Sequence, residues 1–274
     1  SSLHRTNRML AAEIKERERA EAALSRLNLE LDQRVKERTT ELELANKELE
    51  SFSYSVSHDL RAPLRAICGF AKILRADCSA SIGEDGRQCL DKIIAAGAHM
   101  GRLIEDLLLY ARTGRAAERT VAVPLAPLMA TLTAEFGERI AAAGARIEIS
   151  KPLATPLGDP TLVGQILNNL VDNALTYRCP RGTPEIRIVA KQAGKDVVIQ
   201  VADNGIGIEP EYHEKIFQAF QRLHGKDEYP GTGLGLAIVA KAVRLMQGDV
   251  TVESAPGRGS TFAVRLPAAG GDSA

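Results

Sequence analysis

Apolar side chains recur at alternating steps of three and four from Leu10 through Ile14, Leu24, Leu31, Val35, Leu42, Ala45, Leu49 and Phe52 to Val56. Arg17, Glu21, Asn28 and Arg38 interrupt the same seam. The stretch from Ser1 to Ala62 holds neither glycine nor proline, and a seam kept for about six heptads predicts a coiled coil rather than a globular helix. Glu13/Arg17, Glu30/Arg34, Asp32/Lys36 and Glu43/Lys47 stand four apart on its flanks, the spacing that lets opposite charges meet on a helix. A single helix of that length, about 90 Å, needs a partner, and the natural one is a second copy of the chain. Near His58 the seam slips: Leu49, Phe52, Val56, Leu60, Pro63, Ile67, Phe70 and Leu74 include two successive steps of four, which locally unwinds a left-handed supercoil.

His58 falls at an outward position of the upstream register, beside Asp59 and five residues before Pro63, where loss of a backbone donor predicts a kink. An acid next to an imidazole can orient the ring and take up its proton, which poises the other nitrogen as a nucleophile. Cys78 to Gly86 reads as a turn. Leu90, Ile93, Gly97, Met100, Ile104, Leu107 and Ala111 then predict a second helix, closed by Thr113-Gly114-Arg115. Two such helical hairpins would make a four-helix bundle. From about Val121 the texture becomes α/β. Strands are predicted at Arg146–Ile149, Glu185–Ala190, Val197–Ala202, Val250–Glu253 and Thr261–Leu266, and helices at Leu128–Ala143, Leu162–Thr176 and Leu236–Met246, an α+β layer with helices on one face of the sheet.

Composition narrows the classes. The 274 residues suffice for one large or two ordinary domains, and Lys+Arg 35 balance Asp+Glu 35, so no bulk attraction to nucleic acid or membrane is implied. No apolar run approaches the roughly 18 residues that span a bilayer, and no secretory signal opens the chain. Cys68, Cys78, Cys89 and Cys179 lack paired spacing and read as reduced cytosolic thiols. The first residue is Ser, which reads as a segment of something longer.

Four pieces of the α/β half suggest a nucleotide site. Asn169 and Asn173 project from one helix face, where amides can hold Mg²⁺ or a phosphate oxygen. Asp203 ends a strand and leads into Asn204-Gly205-Ile206-Gly207, so its carboxylate can accept the amine of adenine while the glycines let backbone approach. Phe217 and Phe220 form an apolar clasp in a polar loop. Gly231-Thr232-Gly233-Leu234-Gly235-Leu236 opens a helix and aims backbone N–H groups at phosphates. Paired asparagines are usually caps or surface, and a lone glycine-rich turn is a weak signal; the four in this order are specific together.

On these residues, from about Glu50 to Pro267, the chain resembles the sensor histidine kinases of two-component systems, closest to the phytochrome-like group. The resemblance rests on His58-Asp59-Leu60-Arg61-Ala62-Pro63-Leu64, Asn169–Asn173, Asp203–Gly207, Phe217–Arg222 and Gly231–Leu236. It implies a multidomain α and α+β chain. Residues 1–50 would be a coiled-coil signalling helix, 51–117 a hairpin forming a four-helix dimerisation bundle from two chains, 118–267 an α/β-sandwich ATP-binding domain, and 268–274 a disordered tail. It implies an ATP-dependent autokinase in which His58 takes the γ-phosphate, with Asp59 as acid-base partner, and passes it to an aspartate of a response-regulator receiver domain. Asn169 would line the nucleotide site, Asn173 hold Mg²⁺, Asp203 read adenine, Tyr177 lie against the base, and Arg222 with Gly231, Thr232, Gly233, Leu234, Gly235 and Leu236 meet phosphates. Thr261 would be a second adenine-side group. The expected setting is a cytoplasmic, bacterial-type homodimer, with its sensory domain outside these residues, no membrane segment and no nucleic acid.

Two positions depart from the family pattern: Thr176 stands where members often carry Lys, and Ala62 where many carry Thr or Asn. Related ATP hydrolases carry a glutamate base at the position of Asn169, an amide that takes no proton at neutral pH, which favours transfer to a protein nucleophile over hydrolysis. A dimeric scaffold with a degenerate pocket is disfavoured because the pocket motifs are intact.

If the long helix transmits rotation, insertions near Ala45 should change kinase output periodically, since each residue turns a helix by about 100° and seven nearly restore its facing. Seven inserted residues should leave autophosphorylation close to the starting level and three or four should shift it strongly. A steady decline with insertion length would make the segment a passive spacer.

Overall fold

The computed structural model describes residues 2–77, 82–113, 120–180, 182–223, 229 and 231–269. The chain divides into two units, Ser1–Phe52 and Ser53–Ala274. Helix α1 (Ser2–Asp77) supplies all of the described part of the first. There Leu24, Leu31 and Val35 of the predicted seam are exposed, each by more than half, so a single chain leaves this stripe uncovered. Glu30 and Arg34 pair at 2.8 Å as expected, and Arg17 pairs with Glu21 at 3.1 Å; the side chain of Glu13 lies outside the described ones. The side chains of Leu10, Ile14, Leu42, Leu49 and Phe52 lie outside the described ones.

The second unit opens with a hairpin of α1 and α2 (Gly83–Arg112). Pro63 lies within α1 without ending it: one missing N–H removes one bond from a long ladder. The predicted turn is shorter than Cys78–Gly86, because α2 already begins at Gly83, which takes φ +69°; residues 78–81 lie outside the described ones, as do Gly114 and Arg115 of the predicted stop. Glu84 and Asp85 in its first turn complement the positive helix end. Leu64, Ile104 and Leu108 form the hairpin's small core with Cys68. A methyl group at Gly97 would sit 2.0 Å from Cys68 Sγ, so glycine there sets how closely the helices approach. Cys68, Cys89 and Cys179 form no disulfide, and among the described residues no helix is long and apolar enough to cross a membrane.

Beyond the hairpin, β1 (Val121–Ala122) pairs antiparallel with β3 (Leu157–Gly158), a small sheet that the sequence pattern was too short to announce. The expected helix Leu128–Ala143 is two: α3 (Leu125–Glu135) and α4 (Gly137–Ala143). They meet at half-buried Phe136, whose N–H still reaches Leu132 and whose carbonyl accepts from Ile140. The main sheet has the order β2-β4-β5-β7-β6 over β2 (Arg146–Ile149), β4 (Glu185–Ala193), β5 (Asp196–Asp203), β6 (Asp249–Ser254) and β7 (Ser260–Pro267). Only β2 and β4 run parallel. Every second residue of the central strands is buried, among them Ile186, Ile188, Ile199, Val201, Phe262 and Val264, so one face carries the core and helices α5 (Pro160–Thr176) and α6 (Gly235–Leu245). Ala268 and Ala269, assigned from sequence to a tail, bond Lys195 and Thr155 carbonyls and extend the fold; residues 270–274 lie outside the described ones.

Leu167 on α5 is fully buried. Leu167→Ala should therefore destabilise the second unit by about 2–5 kcal/mol, the loss of transfer energy plus a cavity. Urea unfolding followed by circular dichroism should show the midpoint fall; an unchanged midpoint would contradict this packing.

Candidate functional site

His58 is 70% exposed, and its Nδ1 lies 3.2 Å from Asp59 Oδ1. The preceding Ser57 is buried at 1%, and residues one apart on a helix face about 100° apart, so the turn that tucks Ser57 inward presents His58 outward. With Nδ1 engaged by a carboxylate, the neutral ring carries its proton there and leaves Nε2 as the nucleophilic nitrogen.

The nucleotide candidates gather around α5. Its start is fixed by Asp159, which accepts from the N–H groups of Thr161 at 2.8 Å and Leu162 at 3.1 Å, with Pro160 following where no donor is needed. Leu162, Ile166, Leu167, Leu170 and Val171 drive one face into the core. Asn169, Asp172, Asn173 and Thr176 follow the spacing i, i+3, i+4, i+7 and form a polar stripe that lines a cavity of about 450 Å³. Asn169 Nδ2 donates to Gln165 O at 2.9 Å, whereas the buried Nδ2 of Asn173 has no partner. An amide left unsatisfied away from water is costly, which sets Asn173 apart from Asn169 on the same stripe.

Asn173 also lines a narrower cavity of about 80 Å³ with Tyr177, Asp203, Gly207, Ser260 and Phe262. Asp203 Oδ1 accepts from the N–H of Gly205 at 2.8 Å and of Ser260 at 3.3 Å. Burial raises the Asp203 carboxyl above the usual range, and those two N–H groups oppose the shift. Gly205 and Gly207 are required sterically: an added Cβ would lie 2.4 Å from the Tyr177 carbonyl and 1.9 Å from that of Ala255, and Gly207 has φ +73°. Tyr177 stacks at a tilt on Tyr229, with ring centroids 5.3 Å apart. Burial raises its phenol, opposed by the Arg222 charge.

Gly231, Thr232, Gly233, Gly235 and Leu236 line the larger cavity, while Leu234 is buried, so its side chain anchors the loop to the core. Thr232 Oγ1 accepts from the Leu234 N–H at 3.3 Å and donates to Asp106 Oδ2 on α2 at 2.5 Å. Burial raises the Asp106 carboxyl, and the Thr232 hydroxyl counteracts it. Nearby, Lys241 Nζ donates to the Tyr110 carbonyl at 2.6 Å and sits 4.5 Å from the centre of its ring.

Several expectations need correcting. Residues alternate along β7, so Ser260 and Phe262 face the narrow cavity and Thr261 does not line it. Arg222 lines neither cavity, and its Nη2 donates to the Tyr229 carbonyl at 2.7 Å. Phe217 packs edge-on against Phe262, but Phe220 is 60% exposed at φ +64°, so only one ring clasps. Arg178, near Thr176, turns back to the Leu175 carbonyl at 2.9 Å. The sequence reading missed Arg102, Asp106, Arg139 and Asp172, which also line the larger cavity. Asp172 had a signal, since it shares the stripe of Asn169 and Asn173; the other three arrive from distant segments.

Two family models match the chain: the His Kinase A (phospho-acceptor) domain over residues 48–115, and the histidine kinase-, DNA gyrase B- and HSP90-like ATPase over residues 158–270. The phytochrome-like protein Cph1 of Synechocystis sp. is 35% identical over 226 residues, 82% of this chain and 30% of its own length. The methanogenesis regulatory histidine kinase FilI of Methanothrix harundinacea is 34% identical over 251 residues, 92% of this chain and 28% of its own. The chain thus spans less than a third of these curated relatives. Among solved structures, full-length ShkA in complex with AMPPNP is similar at a TM-score of 0.61 and 30% identity, covering 80% of this chain and 46% of that one. A phospho-acceptor domain carrying the outward His58, followed by an ATPase domain around Asn173 and Asp203, makes this chain a member of the sensor histidine kinases.

Proposed function

We propose that the chain is an ATP-dependent autokinase that phosphorylates His58 and passes the phosphoryl group to a receiver-domain aspartate of a response regulator. The observation that carries this reading is the combination, in one chain, of an exposed His58–Asp59 pair with two cavities that meet at Asn173. The narrow cavity suits adenine: Phe262 and Tyr177 offer apolar and aromatic surface, and Asp203, with Oδ1 engaged by backbone, keeps Oδ2 to accept the exocyclic amine. The wider one suits the phosphates, with the Gly231–Leu236 backbone at the start of α6.

The donor chemistry at Asn173 fits Mg²⁺: the side chain lines both cavities where they join, and its Oδ1 is a hard oxygen ligand. Mg²⁺, when bound, would offset the charge of the phosphates and hold them in line. His58 lines neither cavity, so transfer needs the phosphate chain brought to the ring, within one chain or across a dimer. In the transfer step Nε2 bonds the γ-phosphorus, the bond to the β–γ bridging oxygen breaks, and the electron pair leaves on ADP. Asp59 holds the Nδ1 proton and stabilises the charge that develops on the ring. The homodimer is supported by the phospho-acceptor domain and by the uncovered seam of α1, and a cytoplasmic setting by the need for ATP. The amide at Asn169 supports transfer over hydrolysis.

His58→Ala should abolish acid-labile, alkali-stable label from γ-labelled ATP while leaving ATP affinity nearly unchanged, because the ring lies outside both cavities. Persisting label would reassign the acceptor, with His99 and His213 the next to test. Asp203→Ala and Asn173→Ala should each weaken ATP binding by about 2–3 kcal/mol, the loss of a charged or buried hydrogen-bond partner. Calorimetric titration that finds both variants binding like the unaltered chain would place the nucleotide elsewhere.

A further inference from the structure

Among the described residues, the charged side chains lining the larger cavity are two arginines, Arg102 from α2 and Arg139 from α4, and two carboxylates, Asp106 and Asp172. Asp106 accepts the Thr232 hydroxyl, and Asp172 accepts Arg139 Nη1. On the α5 stripe itself, Thr176 contributes only a hydroxyl. Among the described residues, a polyphosphate entering here therefore has few cations to meet.

We propose that Arg139 is a phosphate-contacting residue of this site, positioned by Asp172 and Phe136; this rests on the nucleotide reading given above. Arg139 follows the break between α3 and α4 at Phe136 and lines the cavity, with its guanidinium carbon 5.3 Å from the centre of the Phe136 ring. The Asp172 carboxylate holds one Nη from the side, one residue before Asn173 on the stripe. A guanidinium carries five N–H donors in a planar fork, so one engaged with Asp172 leaves others that can form a charge-assisted pair with a phosphate oxygen. Its side chain is half exposed, so a ligand can reach it, and the ring and the carboxylate have already removed much of its rotational freedom. Arg102 is the weaker choice. It is carried by the hairpin, whereas Arg139 belongs to the same sheet-and-helix core as Asn169 and Asn173.

The test uses the full chain, titrated with ATP and Mg²⁺ and, separately, with adenosine, which keeps the base and lacks phosphates. Arg139→Gln should weaken ATP binding by about tenfold, with adenosine binding and the unfolding midpoint of the unliganded chain unchanged. Arg139→Lys should fall between, since it keeps the charge and loses the fork. Because Arg139→Gln also leaves Asp172 facing the phosphates unpaired, the double variant Arg139→Gln/Asp172→Asn decides what the arginine does. ATP binding that stays weak in the double variant supports a direct contact. Recovery to the unaltered level would show that Arg139 only masks Asp172 and would overturn the inference, as would an equal loss for adenosine. If the unaltered chain fails to bind ATP, the nucleotide reading falls and the inference with it; if it binds ATP and Arg139→Gln stays within about twofold of it, the inference alone falls.

Discussion

Helix α5 must bury one side and leave the other polar, and the candidate site follows from how it does both. Leu162, Val163, Ile166, Leu167, Leu170, Val171, Ala174 and Leu175 have almost no exposed surface. Each large apolar side chain removed from water contributes on the order of 1.5–3 kcal/mol, so rotating the helix would forfeit far more than any single polar contact returns. That burial fixes the azimuth of α5. With the azimuth fixed, Asn169, Asp172, Asn173 and Thr176 have one direction to face, and it is the cavity. The unsatisfied amide of Asn173 is therefore held in place by hydrophobic packing, and local hydrogen bonds need not supply the energy.

How much of this could be read in advance depended on sequence range. The α5 stripe was legible because a helix maps a period of 3.6 onto one face, and Asp203 because a strand end followed by glycines is a local signal. The five main strands were likewise expected, each to within a few residues at its ends. The tiny β1–β3 sheet has no period to show in two residues per strand. Thr261 came from the resemblance alone; the pleat decides which hydroxyl faces the narrow cavity, and it is that of Ser260. Arg139 and Asp106 could not be found from spacing at all. Each reaches the cavity from a segment tens of residues away, on a route set by tertiary packing.

The hairpin shows the same division. Its outward histidine followed from helical phase, and that expectation agrees with the inward turn of Ser57. The contacts of α2 with the glycine-rich loop and α6, through Asp106–Thr232 and Tyr110–Lys241, join residues more than a hundred positions apart. Such pairs are individually modest when partly exposed, yet they put a carboxylate and a lysine where the loop meets the hairpin.

The antiparallel pairing of β5 with β7 sets Asp203 opposite Ser260 and Val201 opposite Phe262. The backbone ladder thus acts as a ruler for the lining of the narrow cavity. The carboxylate, the hydroxyl and the ring are spaced by hydrogen bonds that have nothing to do with a ligand. Shifting β7 by a single residue would turn Thr261 and Ala263 toward the cavity and bury the wrong set of side chains against α5 and α6. The shape of the narrow cavity is in this way tied to the cohesion of the whole sheet, and errors in one cannot be made without breaking the other.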